Sequence, residues 1–191
     1  ISFCIQLLCA AQDPIPPVGQ WREHLPYNSA IDVTAGEGKV YCATPYSLFS
    51  VNTADNTVER FSRVTGLNET GISAIRYDEA AKKLFIAYSN SNIDIIYRND
   101  IYNVPDIKRD NIIGDKTIYN IYPLAKDFYL STGLGVIVID GERNEVKDSW
   151  FIGNGGNQVK VNGFSSDGTF FYAATAEGLK KAPMNSSDLA N

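Results

Sequence analysis

The side chains capable of chemistry are few and scattered. The single histidine, His24, sits beside Arg22 and Glu23. One imidazole with no cysteine cluster makes no zinc site, and no serine lies near it in a nucleophile-elbow context. The carboxylates Asp78, Glu79, Asp94, Asp127, Asp140, Glu142, Asp148 and Asp167 fall mostly in turn-like stretches, where Asp serves local backbone geometry. Asp140 and Glu142 have the residue types for glycoside hydrolysis, yet two carboxyl groups on one turn do not flank a substrate from opposite sides. Residues 140–145 lack the length and alternation of a calcium loop. The glycine-rich residues 153–156 lack the lysine and the Ser/Thr of a phosphate loop. Residues 165–170 (SSDGTF) faintly resemble the Asp-box turn of sialidase propellers but occur once, which reads more simply as a hairpin turn. The expectation is therefore no catalytic residue, no cofactor and no metal. What remains is aromatic: Tyr27, Tyr46, Tyr102 and Tyr119 fall near expected strand ends or loops and are the candidates for an exposed binding rim.

The elements that would position these residues are set by a repeat. Residues 40–44 (VYCAT), 84–88 (LFIAY), 128–132 (FYLST) and 171–175 (FYAAT) recur at spacings of 44, 44 and 43 residues. A period of that size, each copy a short apolar run, is the signature of four-stranded propeller blades. Each copy is followed by a second apolar run beginning at Leu48, Ile93, Val136 or Leu179, after a short turn. Two runs so joined read as a hairpin. Each is also preceded by a run beginning at Ala30, Ile72, Ile118 or Val159. A further strand-like segment lies upstream of each unit, at residues 20–25, 57–63, 107–113 and 145–152, with residues 98–106 as a connector. The fold expected is all-β, a β-propeller with four repeat units of four-stranded antiparallel blades, part of a larger ring. The segment at 20–25 would be an outermost strand that completes the ring's last blade. The run Val136-Ile137-Val138-Ile139 is unbroken, which predicts burial on both faces between blades.

Composition agrees with a packed, repeat-built chain. With 44% apolar residues over 191 positions a substantial core is available, and net charge −5 argues against a nucleic-acid partner, which needs clustered Lys and Arg. Residues 1–11 (ISFCIQLLCAA) read as the end of a secretory signal peptide, residues 12–20 as a proline-rich linker, 21–184 as blades and 185–191 as a polar tail. Cys4 and Cys9 would leave with the signal segment, so that Cys42 stays as a small buried hydrophobe in a central strand. Export without disulfides suits a bacterial periplasm or cell surface.

The runs WREHLPYNSAIDV, KVYCATPYSLFSV, GLNETGISAIRYD with LFIAYSNSNIDII, DIKRDNIIGDKTIYNI and FYAATAEGLKKA resemble the N-terminal propeller of the PorZ family, in order and with matching spacing. The resemblance implies an exported, non-enzymatic scaffold of the type IX secretion system of Bacteroidetes. It would work at the outer-membrane surface with a PorU-like sortase and PorV-like and PorQ-like outer-membrane proteins, where the cargo signal is removed and cargo is attached to anionic lipopolysaccharide. The lipopolysaccharide contact would belong to a C-terminal domain outside these residues. A weaker resemblance, through GISAIRYDEAAKKLFIAY, is to the periplasmic ligand-sensing propellers of hybrid two-component regulators. There a tryptophan and a Gly-Thr pair are expected after the second strand, where this chain has Phe85 and Ala87-Tyr88.

Overall fold

Each copy of the repeat becomes the second strand of an antiparallel sheet in the computed structural model, which describes residues 24–186. The first blade comprises β1 (Asp32–Gly36), β2 (Lys39–Ala43), β3 (Leu48–Asn52) and β4 (Val58–Phe61). The second holds β5 (Ile72–Asp78), β6 (Lys83–Tyr88), β7 (Ile93–Tyr97) and β8 (Asp100–Val104), followed by a single helical turn, α1 (Asp106–Arg109). The third holds β9 (Ile118–Leu124), β10 (Asp127–Thr132), β11 (Val136–Asp140) and β12 (Glu145–Trp150). The fourth shows three strands among the described residues, β13 (Val161–Ser166), β14 (Phe170–Thr175) and β15 (Gly178–Pro183). Strands follow one another in chain order within every sheet, and the first strands lie side by side around an axis. The four sheets form part of a propeller ring that does not close on itself.

Blades are held together by side chains of alternating direction. In β6, Leu84, Ile86 and Tyr88 pack toward the first blade while Phe85 and Ala87 pack toward the third. In β11, Ile137 and Ile139 join the core shared with the second blade, and Val136 and Val138 the core shared with the fourth. All five residues of β11 are buried, as its unbroken apolarity predicted. Tyr41, Phe85 and Tyr129 occupy the same position of the repeat and do the same work. Their rings meet Tyr77 at 5.9 Å, Phe128 at 3.6 Å and Phe164 at 5.1 Å across three successive blade boundaries. Polar links lie along the inner strands: Ile75 N–H donates to Asp32 Oδ2 at 2.9 Å and Tyr77 N–H to Thr34 Oγ1 at 3.0 Å.

One outer strand lies elsewhere than expected. The fourth strand of the second blade is Asp100–Val104, inside the stretch read as a connector, and residues 107–113 form no strand. The third strand turns back through only Arg98 and Asn99, with Arg98 at φ 58°, so the outer strand begins at once. Pro105 then starts α1, whose Ile107 is buried; its apolarity serves the core between blades two and three rather than a strand. Cys42 lies in β2 but is only half-buried, because it faces away from the second blade, on the side of the first blade that no sheet among the described residues covers. Burial, seconded by Asp32, raises its thiol pKa, which disfavours the reactive thiolate. The segments read as signal peptide (1–11) and linker (12–20) lie outside the described residues; of the expected strand at 20–25 only His24 and Leu25 are described, and neither is in a strand.

A buried carboxylate fastens the second blade to the connector that enters it. Asp94, fully buried on β7, accepts hydrogen bonds from Tyr88 Oη at 2.7 Å, Asn68 N–H at 2.8 Å, Asn68 Nδ2 at 2.8 Å and Asn103 Nδ2 at 2.9 Å. Burial, and then the neighbouring charge of Asp94, push the Tyr88 phenol far above its ordinary pKa, so it stays a donor. Asp94→Ala would strand a phenol and two amides without acceptors, and a loss of roughly 3 kcal/mol in urea unfolding is expected, as for breaking a buried polar network. Asp94→Asn, which keeps the shape and one acceptor oxygen, should cost measurably less; a negligible loss in Asp94→Ala would show that packing, not the four hydrogen bonds, fastens this end. A second check concerns Asp167 in the β13–β14 turn. The Tyr172 hydroxyl, then the N–H groups of Phe170 and Thr169, hold its carboxyl pKa down at about 2. Since that lies below the usual value near 3.9, the contribution to stability is complete above about pH 4 and is lost as pH falls through about 2. An NMR titration should place the Asp167 midpoint there and move it upward in Tyr172→Phe.

Candidate functional site

The end of each sheet at which the first strand begins also carries the turn between its second and third strands and the connector to the next blade. These segments together form an upper rim. The turns are closed by the last residue of the repeat copy. Thr44 Oγ1 accepts from Ser47 N–H at 3.0 Å, Thr132 Oγ1 from Gly135 N–H at 3.2 Å, and Thr175 Oγ1 donates to the Gly178 carbonyl at 2.7 Å. The second blade has Tyr88 at this position, and its hydroxyl reaches Asp94 instead. These turn-closing residues were missed as a group by sequence reasoning, although the signal, a Thr ending three of four copies, stood at a fixed place in the repeat. Neighbouring segments are bonded along the rim: Ile72 N–H to Pro45 O at 3.1 Å, Ser89 N–H to Gly71 O at 2.8 Å, Ser91 Oγ to Lys116 O at 2.8 Å, and Ala176 N–H to Lys160 O at 2.9 Å.

Three of the four sequence-singled tyrosines lie on or beside this rim. Tyr46, in the turn of the first blade, is 58% exposed. Tyr119 stands near the start of β9, donating its hydroxyl to Asp115 Oδ2 at 2.5 Å, with Lys160 Nζ 3.9 Å from its ring centroid. That hydrogen bond raises the phenol pKa and lowers the Asp115 carboxyl. Tyr27 is half-buried, edge-on to Phe49 at 5.8 Å with the Arg60 guanidinium 5.1 Å from its ring. Its neighbour Pro26 is pinned to the first turn by Ser47 Oγ at 2.9 Å. Tyr102 does not belong to the rim: it lies in the middle of β8, on the face toward the third blade, because the stretch holding it is an outer strand. Two apolar residues that were not singled out join Tyr46 on the rim. Val64 and Ile113, in the connectors leaving the first and second blades, are 52% and 91% exposed.

Asp140 is turned into its own loop, accepting from Glu142 N–H at 2.9 Å and Arg143 N–H at 3.0 Å, with Arg143 Nε 3.1 Å from its second oxygen. Those bonds, the Arg143 N–H first, lower its pKa. It therefore closes a turn, and Glu142 pairs with Lys126 at 3.5 Å. His24 is exposed and outside any strand. Among the described residues no three His, Cys, Asp or Glu side chains are grouped to hold a metal ion.

Comparison with known proteins agrees with this geometry. No curated protein sequence matches the chain significantly. Among solved structures, PorZ of Porphyromonas gingivalis, described as an essential bacterial surface component of the type IX secretion system, superposes with a TM-score of 0.79 at 25% identity. The match covers 91% of this chain and 23% of that one, so the chain spans about a quarter of the solved PorZ. The extracellular domain of the putative hybrid two component system BT4673 from B. thetaiotaomicron gives 0.69 at 9% identity, over 86% of this chain and 22% of that one. The computationally designed Ika4 protein gives 0.63 at 8% identity over 84% and 94%. At those identities the last two speak to the fold alone. Residues 40–191 match the family described as the type IX secretion system PorZ N-terminal β-propeller domain, and the chain belongs to that family.

Proposed function

We propose that this propeller acts as a non-enzymatic scaffold of the type IX attachment machinery at the bacterial cell surface, and that its upper rim is the face it offers to partner proteins. The single observation that carries the reading is the exposure of Tyr46, Val64 and Ile113 on one rim whose turns are bonded to one another. A rim held in this way loses little conformational entropy on contact, so its apolar residues can act as anchors. Membership of the PorZ family supplies the machinery: a PorU-like sortase with PorV-like and PorQ-like outer-membrane proteins, which strip the signal from cargo and attach it to anionic lipopolysaccharide. Contact with lipopolysaccharide falls to a domain beyond these residues. Exposure at the outer-membrane surface fits the description of the Porphyromonas gingivalis protein as a surface component. The second reading, a ligand-sensing propeller of a hybrid two-component regulator, has in its favour the shared fold with the extracellular domain of BT4673.

The test is affinity capture of the tagged full-length protein from solubilised outer membranes of its host. Co-purification of a PorU-like protease with a PorV-like barrel is expected, and the double variant Tyr46→Ser, Ile113→Ser should lower the yield of both at least tenfold at unchanged circular dichroism. Recovery of a histidine kinase on the same polypeptide, without those partners, would sink the scaffold reading in favour of the sensor. Undiminished capture by the double variant would move the contact away from the upper rim.

A further inference from the structure

The repeat supplies an internal comparison for every position, and the second blade departs from it at the end opposite the rim. The first residue of the second strand is Lys39, Lys83 or Asp127 in the first three blades, and the last residue of the third strand, paired with it across the hairpin, is Asn52, Tyr97 or Asp140. In the first blade Lys39 is bridged to Glu59 of the outer strand at 2.8 Å, and in the third Asp127 is bridged to Lys147 at 2.6 Å. Asn52 and Asp140 each close their own turn, accepting from Ala54 N–H at 2.8 Å and Glu142 N–H at 2.9 Å. At the place of Glu59 the second blade has Tyr102, and at the place of Asn52 it has Tyr97. Neither tyrosine can take over the ion pair or the Asx turn.

The consequences of the two changes meet in space. The turn after β7 shrinks to Arg98 and Asn99, against residues 53–57 in the first blade and 141–144 in the third. Lys83, with no carboxylate at the place of Glu59, reaches to the next blade instead and donates to the Gly141 carbonyl and to Asn144 Oδ1, the latter at 2.8 Å. Between the shortened turn and the 141–144 turn lies an open cleft of about 460 Å³, within the usual range of ligand pockets, lined by Lys83, Tyr97, Tyr102, Glu142 and Asn144. Tyr102 is 42% exposed there, whereas the aromatic residues at the blade boundaries are buried.

We infer that this cleft between the second and third blades is a binding site for a neutral pyranose unit of a glycan. The Tyr97 ring already has the Arg98 guanidinium and the Lys83 ammonium at 5.0 and 5.7 Å from its centroid, so the exposed Tyr102 ring offers the face whose negative π-density suits the polarised C–H groups of a sugar ring. The Glu142 carboxylate, with Lys126 Nζ 3.5 Å from one oxygen, accepts from hydroxyl groups, and the Asn144 amide and the remaining N–H of the Lys83 ammonium donate to them. With Asp140 turned into its own loop, Glu142 is the one carboxylate lining the cleft, so the site binds sugar without hydrolysing it. The same carboxylate repels a uronic acid. The inference is independent of the secretion reading, since it rests on the opposite end of the blades and on no family property.

The test is a ligand titration of the whole chain, followed through the ring resonances of Tyr97 and Tyr102, with glucose, mannose, N-acetylglucosamine and glucuronic acid as probes. At least one neutral sugar is expected to shift both rings with a dissociation constant on the order of millimolar, as fits a contact worth about 4 kcal/mol. Tyr102→Ala and Glu142→Gln should each weaken that binding at least fivefold. Both replacements are at exposed positions, and unchanged circular dichroism verifies the fold. Silence of both rings toward all four sugars, tighter binding of glucuronic acid than of any neutral sugar, or unchanged binding in Tyr102→Ala would each overturn the inference.

Discussion

No sheet in this molecule can bury both its faces by itself, and everything else follows from how that is solved. A four-stranded blade is apolar on two sides, so each side needs a neighbour. The rings at Tyr41, Phe85 and Tyr129 mark the solution at three boundaries, each reaching forward into the next blade. Tyr172 holds the same place in the fourth copy; there its ring lies near Lys181 and its hydroxyl on Asp167. Stability is thus a property of boundaries more than of blades.

With the boundaries packed, the strand ends become rigid platforms that are free to vary. Function on such a fold sits in the turns and connectors. The upper rim and the cleft on the opposite end use this freedom in different ways. On the rim, apolar side chains stand out from turns that hydrogen bonds already hold. At the other end the departure is subtractive: two residues that close a turn and make an ion pair elsewhere are replaced by tyrosines, and space opens.

The periodic part of this architecture was legible in the chain. The spacing of the four copies, the alternation in β6 and the unbroken run of β11 state the blades, their order and which strands lie deepest. The outer strands were less legible, because they face solvent on one side and carry little apolar signal. In the second blade, Asp100–Val104 reads like a loop with Asn103 and Pro105 near its end, while Ile107, buried from a helical turn, imitates a strand residue. That one misplacement also set Tyr102 on the rim instead of in the middle of a strand. The Asp94 cluster could not be read from spacing at all, since it draws on residues 68, 88, 94 and 103 from four different segments. Half-burial of Cys42 likewise depends on which blade lies beside it, not on its own strand.

The replacement of threonine by Tyr88 changes how opening spreads through the molecule. A turn closed by Thr44 or Thr132 is held by a hydroxyl of its own few residues and by single backbone bonds to its neighbours, such as Ile72 N–H to Pro45 O. Tyr88 ties its turn, through Asp94, to the connector from the preceding blade and to the outer strand β8. Those three segments must let go together. The connector into the second blade, its turn at 89–92 and β8 therefore open as one cooperative unit whose amides exchange with solvent only in a shared, rarer opening.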